Sequence, residues 1–287
     1  MTKYIIITPA RDEADYIEQT LASVPRQSIL PMQWILVNDG SRDNTGEIMD
    51  RSAKQYPWIT VCHRNDRGYR NSAGGEVDAF YDGFSQIASD DWDFIVKLDG
   101  DLSFSPDYFA QCFAEFDKDP RLGIAGGGIY HNLNGVITLE KSPIFHVRGA
   151  TKIYRRECWN DLGGIMRAPG WDTVDDLKAN MLGWTTRSFP ALRVLHYRFT
   201  GAADGAWRNC VKDGRANYIA GYHPLFMFFK CAVRFVKRPR VVGSLGLMFG
   251  FLGCYWRRTP RVQDRSLISY TRNQQLRRLL LLDSMWK

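Results

Sequence analysis

The sequence predicts an open α/β fold on a mostly parallel sheet flanked by helices, and three observations carry the prediction. Short β-branched runs alternate with segments of helical period. The connections between them are brief and polar, the pattern of βαβ units. Carboxylates recur where the apolar runs stop.

The first run, Tyr4-Ile5-Ile6-Ile7-Thr8 within Lys3–Pro9, reads as a strand buried on both faces. Asp12, Glu13 and Asp15 then open a helix carrying Ile17, Leu21 and Val24 at helical spacing, with Pro25 at its end. A second strand, Gln33–Asn38, runs into Asp39-Gly40-Ser41 and a polar helix from Asn44 to Gln55. A third, Ile59–His63, leads through a Gly-containing stretch to a helical segment at Glu76–Ala88. The fourth strand, Phe94–Leu98, ends at Asp99-Gly100-Asp101. From about residue 120 to 220 the pattern loosens. Gly126-Gly127-Gly128, Gly149-Ala150-Thr151 and Gly163-Gly164 punctuate it, and Asp172–Leu182 reads as a helix.

Composition agrees with a globular chain. Of 287 residues, 45% are apolar and 24% charged, which excludes disorder and collagen-like repetition and leaves ample chain for a full core. Six cysteines form no C-x-x-C pair and no zinc-type spacing, so neither a disulfide scaffold nor structural zinc is expected. The opening MTKYIIITPARDEADY has an apolar run too short for a signal peptide and ending in charges; the expectation is a reduced, cytosolic setting.

In open α/β sheets ligands bind outside the carboxyl ends of the strands. Pro9-Ala10-Arg11, Asn38-Asp39-Gly40-Ser41 and Asp99-Gly100-Asp101 all fall there. Two carboxylates separated by one small residue can share a hard divalent cation, Mg²⁺ or Mn²⁺, with phosphate oxygens, and neutralise a diphosphate leaving group. The same triplet is also an ordinary turn sequence. Asp39 could accept from a base N–H or a ribose hydroxyl, while its tetrapeptide is equally a turn with a helix cap.

Four segments carry a more specific signal. They are Ile5–Glu13, Ile35–Thr45 with Val37-Asn38-Asp39-Gly40-Ser41 at its centre, Lys97–Asp101, and Gly149–Arg156 with Gly163-Gly164. In order and spacing, over roughly residues 3–200, the chain resembles a family 2 glycosyltransferase with the GT-A fold. The resemblance implies that Pro9, Ala10, Arg11 and Glu13 line a nucleotide pocket and that Asp39 contacts the base. It implies that Asp99-Gly100-Asp101 meets the donor, Asp99 facing ribose or sugar and Asp101 binding metal. It also implies inversion by direct displacement, with a carboxylate base for the acceptor hydroxyl.

Candidates for that base lie in Gly170-Trp171-Asp172-Thr173-Val174-Asp175-Asp176-Leu177. Counting back from Gly183-Trp184 puts the family's Asp on Asp172, with Trp171 where Glu is common; Asp175 stands as the second candidate. All three carboxylates could instead serve the helix N-terminus, and their crowding should raise at least one pKa. His196 is a candidate third metal ligand, as a late His is in some GT-A enzymes. Arg67 or Arg70, in a loop that is basic in the family, could pair with phosphate. His63, His131, His146 and His223 stand in no motif.

Charge divides the chain. Residues 1–229 hold 25 Lys and Arg against 29 Asp and Glu, whereas 230–287 hold 13 against 2. The basic part is also greasy: Leu225–Val236 is apolar apart from Lys230 and Arg234, and Val241–Trp256 has no charge. As a helix the latter spans about 24 Å, short of the roughly 30 Å hydrocarbon core, so interfacial or re-entrant embedding with Arg and Lys at anionic headgroups is the expectation. A buried helix hairpin closing the domain, or a dimer interface, is the alternative. Nucleic acid is not expected, because basic residues flank long apolar runs rather than interleave with single aromatics.

The expected organisation is therefore a GT-A catalytic domain, 1–222, and a basic, hydrophobic helical extension, 223–287. The expected protein is a peripheral enzyme at the cytoplasmic face of a membrane. It would pass a sugar from a nucleotide donor, UDP-linked by expectation, to a polyprenyl-linked or other lipid-linked acceptor in surface glycan assembly. A sugar-phosphate nucleotidyltransferase is the rival enzyme, though such proteins open with a Gly-rich loop that Thr8-Pro9-Ala10-Arg11 is not. A non-catalytic nucleotide-sugar-binding protein is the other alternative.

Overall fold

Three of the four N-terminal strands bury side chains on both faces, and the period-2 alternation of each feeds two separate cores. In β1 (Tyr4–Ala10), Tyr4 and Ile6 point to one and Ile5 and Ile7 to the other; in β2 (Gln33–Asn38), Trp34 and Leu36 part from Ile35 and Val37 in the same way. The computed structural model describes residues 2–68, 74–133, 135–198, 205–236 and 240–286.

Along the chain, α1 (Ile17–Ser23) and β2 are followed by α2 (Thr45–Gln55), β3 (Ile59–His63), α3 (Gly75–Phe84), β4 (Phe94–Leu98), β5 (Leu102–Phe104) and α4 (Tyr108–Lys118). Next come β6 (Leu122–Leu133), β7 (Val136–Leu139), β8 (Thr151–Arg155), α5 (Arg156–Leu162), α6 (Trp171–Met181) and β9 (Thr185–His196). Among the described residues nine strands form one sheet, ordered β3-β2-β1-β4-β8-β6-β9-β5, with β7 paired to β6. The expected parallel block is β3-β2-β1-β4. Beyond β4 the sheet is mixed: β8 runs antiparallel to both β4 and β6, and β9 pairs parallel with β6 and antiparallel with β5.

Helix α4 covers one face with Phe109, Cys112, Phe113 and Phe116; α3 covers the other with Val77 and Phe80. Each such side chain contributes about 1.5–3 kcal/mol when fully buried. All six cysteines are unpaired, and all but Cys62 are buried.

The glycine run 126–128 is not the punctuation its sequence suggests. It lies inside β6, with a bulge between Gly127 and Gly128 where β9 changes register. A Cβ on Gly126 would strike the Thr151 carbonyl oxygen, and one on Gly127 the carbonyl of Leu192. Glycine serves here for close approach of neighbouring strands rather than for a turn.

The C-terminal part is helical: α7 (Gly205–Ile219), α8 (Pro224–Phe235), α9 (Arg240–Trp256) and α10 (Arg265–Leu279). A third core joins it to the catalytic part, with Val174 and Leu177 of α6 meeting Tyr218, Tyr222, Met227, Leu247, Phe251 and Trp286. Glycines 214, 246 and 250 let α7 and α9 touch backbone to backbone; a Cβ on Gly250 would strike the Val211 carbonyl. The 222/223 boundary thus falls between α7 and α8, and α7 packs with the helices that follow it. No described helix is long and apolar enough to cross a membrane.

Candidate active site

Parallel pairing of β1, β2 and β4 brings three strand ends to one edge, with Ala10 opposite Asn38 and Asp39 N–H donating to the Ala10 carbonyl at 2.9 Å. Asp39 is 6% exposed. Its carboxylate accepts from Arg64 and, at 2.6 Å, from Arg67 Nη2. Arg11 donates to the Asp39 carbonyl at 3.0 Å and to Asp66 at 2.6 Å, so the loop after β3 is bound to the strand ends by a chain of ion pairs. Gly40, at φ +66°, permits this: a Cβ there would lie 2.6 Å from the Asp66 Cα. Arg67 Nε is buried with no hydrogen-bond partner among the described residues. Arg70 lies outside the described residues.

Pro9 is a buried residue of β1 paired with Val37, and Ala10 lies at the strand end, where the Gly100 Cα faces it closely; a Cβ on Gly100 would come within 3.2 Å of the Ala10 Cβ. Glu13 holds Arg198, from just beyond β9, at 2.5 Å. These residues therefore share one region, with Pro9 and Ala10 supporting it from the sheet.

Asp99 and Asp101 flank the turn between β4 and β5. Pairing of Leu102 with His196 across β5 and β9 sets the imidazole beside Asp101, with Nε2 3.1 Å from Oδ2. Carboxylate oxygens of Asp99 and Asp101 and a ring nitrogen of His196 all lie within 4.8 Å of one another. His196 Nδ1 is buried without a hydrogen-bond partner among the described residues. Two hard oxygens, one imidazole nitrogen and an orphaned buried ring atom fit a divalent cation. Burial opposes charge on His196, yet the Asp101 carboxylate outweighs it and lifts the imidazole pKa. Burial, with the charges of Glu76 and Asp101, pushes the Asp99 carboxyl up against the pull of Lys97.

The metal-type cluster opens on a cleft of about 160 Å³, lined by Asp99, His196, Lys97 and Glu76 together with Trp171, Asp172 and Arg148. Lys97 is buried in β4 and pairs with both Asp99 and Glu76, its ammonium 5.3 Å from the Trp171 ring centroid. Gly149 makes room for that ring, since a Cβ would lie 2.8 Å from it.

The start of α6 distributes three carboxylates to three surroundings. Asp172 faces the cleft, with Oδ2 3.7 Å from His146 Nε2 and 3.9 Å from Arg148 Nη1. Burial would raise its pKa, but His146, Arg148 and Lys152 hold the carboxyl below its usual value. Asp175 is not among the cleft-lining residues. It is 2% exposed and accepts from Tyr154 Oη at 2.7 Å and Met166 N–H at 3.3 Å, and burial pushes it up to about 7. Asp176 is fully buried against Lys152 and His146. Burial, more than the crowding of carboxylates, thus raises the carboxyl that points inward and not the one at the cleft.

This has a consequence for stability. Below about pH 4 Asp175 is protonated in folded and unfolded chains alike; between there and about pH 7 only the unfolded chain ionises, so stability falls as pH rises through that window. Melting temperature should drop less between pH 5 and pH 8 in Asp175→Asn than in the parent, as scanning calorimetry would show. An equal drop in both would mean that Asp175 does not carry the dependence.

Several site residues carry no motif signal. His131, whose ring lies 5.2 Å from that of His196, and His146 gain their partners only through pairing of distant segments. Lys97 did leave a trace, as a single cation inside a strand otherwise read as buried, which needs a counter-charge.

Comparison with known proteins adds the rest. Residues 5–167 match the family model described as Glycosyl transferase family 2. Over 116 residues, 40% of this chain, the sequence is 30% identical to a poly-beta-1,6-N-acetyl-D-glucosamine synthase of Staphylococcus aureus (strain MSSA476). Over 117 residues, 41% of this chain, it is 28% identical to a chondroitin synthase of Pasteurella multocida (strain Pm70). Those matches cover 26% and 11% of the two relatives' own lengths. Among solved structures, mannosyltransferase PcManGT from Pyrobaculum calidifontis, in complex with GDP-Man and Mn²⁺, is similar at TM-score 0.56 and 18% identity, over 98% of this chain and 76% of that one. S. aureus TarS 1-349 in complex with UDP-GlcNAc is similar at 0.54 and 14% identity, over 89% of this chain and 73% of that one. At these identities the likeness is one of fold.

Proposed function

The chain belongs to glycosyl transferase family 2 and has the GT-A fold, and from that premise we propose that it transfers a hexosyl or N-acetylhexosaminyl group, with inversion, from a UDP-sugar to a lipid-linked acceptor in surface glycan assembly. The observation that carries the reading is the placement of Asp172 on the same cleft as Asp99 and His196. Support for a UDP donor comes from the TarS complex with UDP-GlcNAc, and for glycan assembly from the synthases among the relatives.

Asp39, Arg11 and Arg67 would hold the nucleotide. Asp39 has a second lone pair on each oxygen for a base N–H, and the Arg67 Nε donor is unused. Asp101 and His196, with Asp99 beside them, would hold Mg²⁺ or Mn²⁺, whose charge would offset that of a leaving diphosphate. Lys97 fixes Asp99 in the orientation that faces the sugar. Trp171 closes the cleft against water beside Asp172, which takes the acceptor proton.

The acceptor class rests on the helical extension. Phe228, Val233 and Val236 of the α8 segment and Leu245, Phe249 and Trp256 of α9 are exposed, Trp256 by 91%. A chain segment with 13 Lys and Arg against 2 acidic residues complements an anionic bilayer, and the apolar side chains would enter its headgroup boundary. The enzyme would then work as a peripheral protein at the cytoplasmic face, presenting its cleft to a polyprenyl-linked substrate.

A panel of nucleotide sugars, with membrane extract as acceptor and released nucleoside diphosphate as readout, tests the donor and the activity. Flotation with phosphatidylglycerol vesicles tests the surface: the parent should float, and Phe249→Glu/Leu245→Glu should lose most of that binding while keeping UDP affinity. Parent protein that stays at the bottom of the gradient would remove the membrane from the account.

A further inference from the structure

Two cations of α8 stand side by side without a counter-charge. Lys230 and Arg234 are four residues apart and so share one face of the helix. Among the described residues neither pairs with a carboxylate. Lys230 Nζ donates to the amide oxygen of Asn217 at 3.4 Å and lies 5.2 Å from the Tyr222 ring centroid. Arg234 Nη2 is 3.5 Å from the Cys210 thiol, a weak acceptor, and its Nε is buried with no partner among the described residues.

The pair faces α7, on which Cys210, Asp213 and Asn217 recur at the spacing of one helix face. The same helix touches the cleft: a Cβ on Gly170, which lines it, would lie 3.0 Å from the Ala216 Cβ. Asp213 joins the two places electrostatically. Its carboxyl feels Lys230 and Arg234 of α8 and also Arg148 and Asp172 of the cleft. Asp213 is exposed and makes no ion pair among the described residues, so it offsets the two cations only in part. Burial lowers the Lys230 pKa by more than Asp213 restores it, as expected of a cation short of negative charge.

Next to the pair the helix turns apolar. Val233, three residues after Lys230, and Phe229, four before Val233, are both exposed. A ligand that fits this arrangement carries a phosphate for the cations and a hydrocarbon chain for the side chains beside them. Arg offers a fork and Lys a point charge to different oxygens of one phosphate.

Resting on the reading of the acceptor as lipid-linked, we propose that Lys230 and Arg234 form its phosphate subsite, with Phe229 and Val233 against the first part of the lipid chain. The polar end of the acceptor then extends along α7 to Asp172.

Binding can be read without transfer. The full chain, saturated with UDP and Mn²⁺ so that the donor side is filled, is titrated calorimetrically with farnesyl phosphate in dodecyl maltoside and with farnesol as the uncharged control. Lys230→Gln and Arg234→Gln, made separately and checked by thermal melting, should each weaken farnesyl phosphate at least about tenfold. UDP affinity should stay at the parental value, and Lys230→Arg should restore farnesyl phosphate binding. Unchanged affinity in either folded Gln variant overturns the proposal. Should neither fold, the parent decides: farnesol bound as tightly as farnesyl phosphate overturns it too. So does a variant that keeps farnesyl phosphate but no longer floats with phosphatidylglycerol vesicles, since the cations then serve the bilayer's own headgroups. The nucleotide-sugar panel separates the two levels. Transfer to membrane extract, with farnesyl phosphate binding indifferent to both substitutions, removes the subsite alone. Binding that needs both residues, in a chain that transfers nothing, keeps the subsite and removes the transferase reading.

Discussion

Asp172→Asn is expected to abolish most sugar transfer while leaving UDP affinity where it was. General-base assistance contributes typically about 10²–10⁴-fold, and an amide cannot take the proton. The expectation of intact binding follows from placement: Asp172 lines the cleft, whereas the strand-end residues Arg11, Asp39 and Arg67 are tied to one another and are not among the residues that line it. The substitution is nearly isosteric, and the Oδ1 that accepts from Thr173 N–H at 2.9 Å has an amide oxygen to replace it. Single-turnover transfer and calorimetric UDP titration, on the same preparation, give the two readouts. Full turnover by the variant would shift attention to other groups on the cleft wall, because the Asp175 carboxylate is committed to Tyr154 and Met166.

Asp101→Ala should have an effect of similar size on a different quantity. Its carboxylate is the one bonded to His196, and removing it leaves Asp99 and an imidazole without its Nε2 partner. A divalent ion at a leaving diphosphate supplies several kcal/mol, on the order of a thousandfold in rate. We expect the gain in UDP affinity that Mn²⁺ confers on the parent, measured against EDTA, to vanish in the variant. Because Asp101 is only 4% exposed, a thermal melt of the variant must accompany the titration. An undiminished Mn²⁺ effect in a folded variant would take metal binding away from this cluster.

How far the sequence reached can be followed residue by residue. Strands at Gln33–Asn38 and Phe94–Leu98 were legible to the residue, because parallel strands buried on both faces read as near-continuous apolar runs; Ile59–His63 was legible too, although it is a half-buried edge strand. The strand β6 was not, since its glycines serve close strand approach, a need that exists only once β8 and β9 are in place. Asp99, Asp101 and Asp172 announced themselves at the ends of strands or the start of a helix. His146 did not, because its partners lie on α6, thirty or so residues away, and no local pattern links them. The same holds for Glu76, brought to Asp99 only through Lys97.

By itself the sequence determined the parallel block, the family, the carboxylates at its carboxyl edge and the greasy, cationic character of the last helices. All of these are properties of contiguous residues. The fold alone decided which of three neighbouring carboxylates reaches the cleft, which side chains tune it, and how the helical part docks on α6. Such choices depend on what lies across from a residue, and that is set by pairing between segments far apart in the chain.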